Sequence, residues 1–173
     1  GIEDITFRIE GGEFVFLTGA SGAGKSTLLK HIYMEELPDT GRGGRVVVSI
    51  PGVEAFDSSR ANRSRIQNLR REIGVVFQDF RRLTDRDVWE NVAFALRVRG
   101  HGGRFLRRRV EEVLERTQLT HRRHAHPNEL SGGEQQRVAI ARAIAGEPRI
   151  VLAYEPTGNL DRENAEGVLE IFL

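Results

Sequence analysis

Apolar and polar positions along the chain change period several times, and each change marks an element. Ile5, Phe7 and Ile9 alternate with Thr6 and Arg8, the period-two pattern of a half-exposed strand. Gly11-Gly12 turns the chain into Phe14, Val15, Phe16 and Leu17, a short apolar run that predicts a buried strand. After a glycine-rich stretch, Leu28, Leu29, Ile32 and Tyr33 predict a helix over 26–34. Pro38-Asp39-Thr40-Gly41 reads as a turn, 45–50 as a strand and 53–64 as polar loop. Residues 69–78 predict a short helix and then a strand at 73–77.

The middle of the chain is helical by the same reading. Thr84 or Asp85 is placed to cap a helix through Val88, Trp89, Val92 and Leu96, ended by Gly100. Leu106, Val110, Val113 and Leu114 follow the i, i+4, i+7, i+8 spacing of one buried face. Residues 121–127 form a loop, and 134–145 form a helix with Val138, Ala141 and Ile144 aligned. The run 149–154 predicts a buried strand. A last helix over 164–172 turns Ala165, Val168, Leu169 and Phe172 inward. Strands on either side of a helical block define an α/β domain with a helical insertion.

Composition narrows the function classes. The chain's 173 residues suit one domain with a sufficient core. No cysteine is present, which excludes a disulfide scaffold, a Cys-ligated zinc site, an iron–sulfur cluster and thiol catalysis. The apolar stretches are short, and 138–146 carries Arg142, so no membrane insertion is expected. No signal peptide opens the chain, and a cytoplasmic address is the expectation. The chain starts at Gly1 and its sole methionine is Met34, so it reads as a piece of a longer frame.

Net charge is +1, with Lys25 and Lys30 the only lysines among 26 basic residues. Arg97, Arg99, Arg104, Arg107, Arg108 and Arg109 form an acid-free block able to meet phosphates or acidic headgroups. The favoured reading is a solvated helix face balanced by Glu111, Glu112 and Glu115, and no nucleic acid is expected as partner. His121, His124 and His126 cluster in sequence but read as solvated loop, because a metal site needs further ligands in a closed geometry.

Gly19-Ala20-Ser21-Gly22-Ala23-Gly24-Lys25-Ser26 fits G-x-x-x-x-G-K-[ST] between a predicted strand and helix. Glycines let the backbone wrap a phosphate with its N–H groups turned inward, and the helix adds its positive N-terminal end. Lys25 places a point charge on the β- and γ-phosphates, and the Ser26 hydroxyl is a hard oxygen suited to Mg²⁺. Thr27 can add a phosphate contact. Ser131 is the expected cap of the helix at 134–145, and with Gly132 and Gly133 it forms a second donor-rich anion site.

These motifs, in this order, resemble the ABC ATPases. Leu130-Ser131-Gly132-Gly133-Glu134-Gln135-Gln136-Arg137 resembles their signature sequence, Gln78 their Q-loop, 149–155 their Walker B strand with the catalytic glutamate, and Asn159-Leu160-Asp161 their D-loop. The string PTGNLD at 156–161 is typical of a branch serving cell division, lipoprotein release and some macrolide efflux. FLTGASGAGKSTLL and LRREIGVVFQD look most like its cell-division members.

The resemblance implies a P-loop NTPase core of ABC type, with a helical subdomain at about 80–145 inserted between Q-loop and signature. The whole of 1–173 is then a single ATP-binding domain cut at both ends, with the adenine-stacking aromatic upstream of Gly1 and the switch histidine downstream of Leu173. It implies a head-to-tail homodimer with ATP between the P-loop of one subunit and the signature of the other. Glu155 would orient or deprotonate the attacking water, and Gln78 would sense the γ-phosphate and Mg²⁺. An integral membrane partner like FtsX would dock near 79–96, where Phe80, Leu83 and Trp89 are candidate contacts, and would hold the subunit at the inner face of the cell membrane. Trp89 reads equally well as core.

One residue departs from the family. The last Walker B position before the glutamate, normally Asp, is Tyr154. A phenol with pKa near 10 is neutral and bulkier than a carboxylate. Weakened Mg²⁺ organisation and slowed hydrolysis are expected, with nucleotide binding through 19–27 kept. Three functions remain open at this point. They are an ATPase that drives or gates a membrane partner, a nucleotide-gated structural module with little turnover, and a nucleic-acid-associated ATPase that uses the arginine block. The last is disfavoured by near-neutral charge. Within the first, lipoprotein release and macrolide efflux are the less favoured branches.

Overall fold

The computed structural model describes residues 2–3, 5–77, 85–158 and 160–172, without the side chains of Arg162 and Glu163. The chain divides into two compact units, Gly1–Arg70 and Arg71–Leu173.

In the first unit the glycine-rich loop runs into helix α1 (Lys25–Ile32), with Gly24 as a left-handed N-cap. A 3₁₀ turn, Thr40–Arg42, is capped by the Asp39 carboxylate, which accepts from Gly41 N–H. Two short strands follow, β1 (Val47–Val48) and β2 (Phe56–Asp57), paired antiparallel with Val47 opposite Asp57 and Val48 opposite Phe56. Arg45 Nη2 lies 2.6 Å from Asp57 Oδ2 and fastens this hairpin. Hydrogen bonds from Arg45 and Ser59 hold the Asp57 carboxyl far below the usual range. Helix α2 (Arg63–Glu72) ends the unit. From α2, Arg70 donates to the carbonyls of Tyr33 (3.2 Å) and Met34 (2.9 Å) just past α1, and its guanidinium sits 4.9 Å from the centre of the Tyr33 ring. A cation is thus placed where α1 leaves carbonyls without helical partners.

The sequence pattern misjudges parts of this unit. Residues 5–9 and 14–17, expected as strands, form no ladder, and Ile5, Phe7, Ile9, Phe14, Val15, Phe16 and Leu17 are all exposed. Alternation specifies which face of a strand is apolar, but a strand exists only once a neighbour satisfies its backbone groups. The turn at Gly11-Gly12 does form, with Gly12 at φ 86° and Glu13 N–H donating to Glu10 O. Conversely, the expected loop 53–64 contains β2, the 3₁₀ turn Ser58–Arg60 and the start of α2.

The second unit is built on two parallel strands, β3 (Ile73–Val76) and β4 (Ile150–Ala153), in register from Ile73 opposite Ile150 to Val76 opposite Ala153. Between them in sequence lie α3 (Val88–Val98), α4 (Gly103–Arg116) and α5 (Gly132–Ile144), and after β4 comes α6 (Arg162–Glu170). The core is the meeting of the apolar faces the periodicity predicts. Val88, Val92, Ala93 and Leu96 of α3, Leu106, Val110, Val113 and Leu114 of α4, and Val138, Ile140, Ala141 and Ile144 of α5 are buried together with Val76 and Val168. Trp89 packs partly buried at its margin. The cap of α3 is Asp87, not Thr84 or Asp85. Its Oδ1 accepts from Glu90 N–H at 2.7 Å, because Oδ1 must face the third helical amide and only the residue immediately before the first turn can reach it.

Gly74 of β3 lies directly against the end of α5. A Cβ there would stand 2.5 Å from the Ala143 carbonyl oxygen and 2.9 Å from Pro148 Cγ. Only glycine lets the end of α5 lie down on this strand.

Candidate functional site

The phosphate loop folds as its composition requires. Gly22 (φ 80°) and Gly24 (φ 90°) occupy left-handed backbone that other residues adopt with strain, and Ala23 N–H donates to Ala20 O at 3.2 Å to close the turn. Gly19, Ser21, Gly22 and Ala23 are exposed, as is Ser26 in the first turn of α1, and Lys25 and Thr27 are half-buried beside it. Lys25 Nζ donates to the carbonyls of Gly19 (2.7 Å) and Ala20 (2.9 Å). The ammonium therefore sits over the mouth of the loop, held by oxygens of the turn itself. No side chain caps α1 and no acid lies in its first turn, so its amide donors are left to an anion.

In the second unit Ser131-Gly132-Gly133 opens another helix, this one with a side-chain cap. Ser131 caps α5 in a reciprocal box: its Oγ accepts from Glu134 N–H at 3.3 Å, and Glu134 Oε2 accepts from Ser131 N–H at 2.8 Å. Gln135 Nε2 fixes the approach by donating to the carbonyls of Pro127 (2.9 Å) and Leu130 (3.0 Å). Ser131 and Gly132 are exposed, and Gly133 is buried against Asn164, whose side chain occupies the space a Cβ would need. An open cavity of about 700 Å³ lies in front of Ser131, Glu134 and Arg137 and is bounded on the other side by His121 and Arg122.

Glu134 carries the marked electrostatic shift of this cluster. Burial pushes its carboxyl up, but the hydrogen bonds from Ser131 and Arg122 outweigh burial and hold it at about 2. It is therefore ionised at any working pH, which keeps the box closed.

Glu155 follows β4 directly, exposed, with its backbone at φ 44°. A non-glycine residue in this region is uncommon and marks strain at a candidate catalytic position. Its carbonyl accepts from Gly158 N–H at 3.0 Å, closing the turn through Pro156 and Thr157. Tyr154 N–H donates to Val76 O at 2.9 Å, which extends the strand pairing one residue and brings the tyrosine ring onto Phe77. Asp161 caps α6, its Oδ1 accepting from Asn164 N–H at 3.0 Å and its Oδ2 from Asn164 Nδ2 at 2.7 Å. Arg137 Nη2 reaches Asn164 Oδ1 at 3.5 Å, so Asn164 stands between the D-loop aspartate and the signature helix.

The structure thus brings Ser131, Gly132 and Gly133 together at one helix start and gathers 19–27 at another. Gln78, with Phe80 and Leu83, lies outside the described residues, as does Asn159. Sequence reasoning missed Arg122, Asn164 and Asp87. Of these, Asp87 was open to discovery, since an acid immediately before the apolar run Val88–Val98 is a cap signal. No group of three His, Cys, Asp or Glu side chains that could hold a metal exists among the described residues. Nor is any helix among them long and apolar enough to cross a membrane.

The arginine block is divided by the fold: Arg99 and Arg109 are half-buried, and Arg97, Arg104, Arg107 and Arg108 are exposed. Arg97 pairs with Glu90 at 2.5 Å, Arg108 with Glu112 at 3.3 Å, Arg99 donates to the Gly146 carbonyl, and Arg109 Nε donates to Ala145 O at 3.0 Å.

A glycine-rich loop with the G-x-x-x-x-G-K-S pattern opens one helix, a Ser-Gly-Gly start opens another, and a parallel pair of strands leads to Glu155, an arrangement in keeping with a P-loop cassette. The family model for ABC transporters matches residues 2–158, and the chain belongs to this family. It is 45% identical to the cell division ATP-binding protein FtsE of Escherichia coli K12 over 99% of its own length and 73% of that protein. Against the Bacillus subtilis 168 protein of the same name it is 46% identical, over 98% of this chain and 71% of that one. Among solved structures it resembles the dimeric ATP-binding cassette MJ0796 in a post-hydrolysis state bound to ADP and Pi. The TM-score is 0.80 with 36% identity, covering 96% of this chain and 70% of that one. The fold is the ABC-type P-loop cassette, with α3 and α4 as its inserted helices.

Proposed function

We propose that the chain is the ATP-binding and ATP-hydrolysing subunit of an ABC-type membrane complex that serves cell division. The observation that carries this reading is the presence of two phosphate-directed helix starts in one chain, Lys25-Ser26-Thr27 on α1 and Ser131-Gly132-Gly133 on α5. A single nucleotide needs one cradle. Two cradles of different build suit two copies arranged head to tail, each giving its P-loop to one ATP and its signature to the other. The likeness to a dimeric cassette supports that arrangement, and the relatives named for cell division support the branch over lipoprotein release or macrolide efflux.

The residues take these roles. The amides of 19–24 and the α1 N-terminus wrap the phosphates, and Lys25 exchanges its loop carbonyls for phosphate oxygens. Ser26 and Gln78 would hold Mg²⁺ through their side-chain oxygens, while Tyr154 offers no carboxylate. Mg²⁺, when bound, neutralises charge on the β- and γ-phosphates. Glu155 orients the attacking water, and Ser131 with the amides of Gly132 and Gly133 faces the γ-phosphate across the dimer. The subunit lies on the cytoplasmic face of the membrane, where the helical region at about 80–145 docks an FtsX-like integral partner through the segment that includes Trp89. The arginines already engaged within the fold support the absence of a nucleic-acid role.

The test is ATP turnover and ATP-dependent dimerisation of the full-length protein beside Glu155→Gln. Turnover lost in the variant with ATP-bound dimers accumulating supports the reading. No nucleotide binding by the parent protein overturns it. Copurification from membranes identifies the partner.

A further inference from the structure

The signature serine is held from behind by a residue outside the signature. Arg122 ends the 3₁₀ turn Thr120–Arg122, and its Nε donates to Glu134 Oε1 at 2.8 Å. The other oxygen of that carboxylate is the one that accepts from Ser131 N–H. Glu134 is only 9% exposed, so few waters can replace a lost partner, and its orientation depends on what it bonds. The other basic side chain facing it is His121, with Nε2 at 3.7 Å, which is largely exposed and not within hydrogen-bonding distance.

The same loop grips a second helix start. Trp89 N–H donates to Arg123 O at 2.9 Å and Val88 N–H to Ala125 O at 3.0 Å, which satisfies two of the amides at the start of α3 that have no helical partner. His124 Nδ1 lies 3.3 Å from Asp87 Oδ2, on the carboxylate that caps α3. Residues 120–126 therefore join the beginning of α3 to the beginning of α5 through a chain of direct contacts.

We propose that Arg122 is a positioning residue for Ser131, acting through Glu134, and that the loop carrying it locks the signature to the start of α3. The inference rests on the reading of Ser131, Gly132 and Gly133 as a nucleotide phosphate site. Arg122 touches no substrate. It keeps the Glu134 carboxylate turned toward Ser131 N–H, which holds the capping box closed and leaves Ser131 and Gly132 on the exposed side of the helix start. With Arg122 removed, the carboxylate rotates toward the cavity and Ser131 samples other rotamers.

The experiment compares full-length parent protein, Arg122→Ala and Arg122→Lys, with Arg122→Gln as a milder variant should the alanine protein fail to fold. The readouts are kcat, KM for ATP, and equilibrium ATP binding to the monomer. In Arg122→Ala, kcat is expected to fall about ten-fold or more, because a misplaced orienting group acts on the chemical step. ATP affinity of the monomer, set by the P-loop, stays within about two-fold. Arg122→Lys recovers most of kcat, since an ammonium reaches one carboxylate oxygen without the planar fork. A kcat unchanged in Arg122→Ala or Arg122→Gln overturns the positioning role while leaving the ATPase reading intact. Equal loss in Arg122→Lys and Arg122→Ala also overturns it. A parent protein that binds no ATP overturns the underlying reading, and this inference with it.

Discussion

The ring of Tyr154 stacks on that of Phe77, with centroids 5.7 Å apart and planes 21° from parallel. The two residues follow β4 and β3, whose parallel register places Val76 opposite Ala153, so their side chains leave the sheet side by side. The aromatic pair explains how a bulky phenol is accommodated where an aspartate is usual in the family. It also turns the side chain into packing. Tyr154→Asp is expected to raise ATP turnover about ten-fold, by supplying an anionic oxygen to the Mg²⁺ proposed to accompany ATP. It should lower folding stability by about 1 kcal/mol through loss of the stacked pair. Steady-state turnover and a denaturant titration on both proteins check this. Equal turnover would show that the phenol has no kinetic consequence.

Lys25 is bonded to the carbonyls of Gly19 and Ala20, and to no acid among the described residues. Phosphate oxygens carry more charge than carbonyls, so under the proposed function the ammonium is expected to exchange partners on nucleotide binding. Lys25→Ala should weaken ATP binding by about 3 kcal/mol, roughly a hundred-fold. The fold should survive, because α1 buries none of its side chains. Calorimetric titration with ATP, alongside circular dichroism, separates the two effects.

Legibility in the sequence followed how local each feature is. The apolar faces of α4 and α5 were readable because i, i+4 spacing is a property of the helix alone, and Leu106, Val110, Val113 and Leu114 are all buried as expected. The phosphate loop and the Ser131 cap were readable because a few adjacent residues build each site. Segments 5–9 and 14–17 were not, since pairing depends on a neighbour that alternation cannot name. The strand expected at 45–50 contains β1, but its partner β2 hid in the polar stretch 53–64, where Arg45 and Asp57 fasten the hairpin by charge. Arg122 escaped because its role needs Glu134, twelve residues on, and nothing in local spacing links a loop arginine to a cap.

Glu134 makes a pH-dependent contribution whose sign follows from its shift. Its folded pKa is depressed to about 2 from an ordinary value of 4.5. The folded protein thus binds the proton less readily than the unfolded chain does. The stabilisation is present in full above about pH 4.5 and is lost as pH falls through about 2. The size is on the order of 2 kcal/mol. Glu134→Gln retains an acceptor for Ser131 N–H but loses the charge facing Arg122. The stability difference between parent and variant should be largest near neutral pH and shrink between pH 4.5 and 2. A difference that stays flat across that range would contradict the assignment.

Six arginines in 97–109 invite a surface role, and the structure divides them. Arg109 reaches the last carbonyls of α5, with Nε on Ala145 O at 3.0 Å and Nη2 on Ile144 O at 3.4 Å, and Arg99 bonds the Gly146 carbonyl beside them. Guanidinium groups at a helix C-terminus satisfy unpaired carbonyls and complement the helix dipole. Burial lowers the pKa of Arg99 from its ordinary value, as expected for a cation drawn into that junction. Arg104, by contrast, is exposed in the first turn of α4, where the helix dipole disfavours a cation. Arg109→Ala is therefore expected to cost about 1–2 kcal/mol of stability, and Arg104→Ala to fall within about 0.5 kcal/mol of zero or to stabilise slightly. Denaturant midpoints of the two variants decide it. If Arg104→Ala proves the more destabilising, α5 is not held at its end by the residue to which the geometry assigns it.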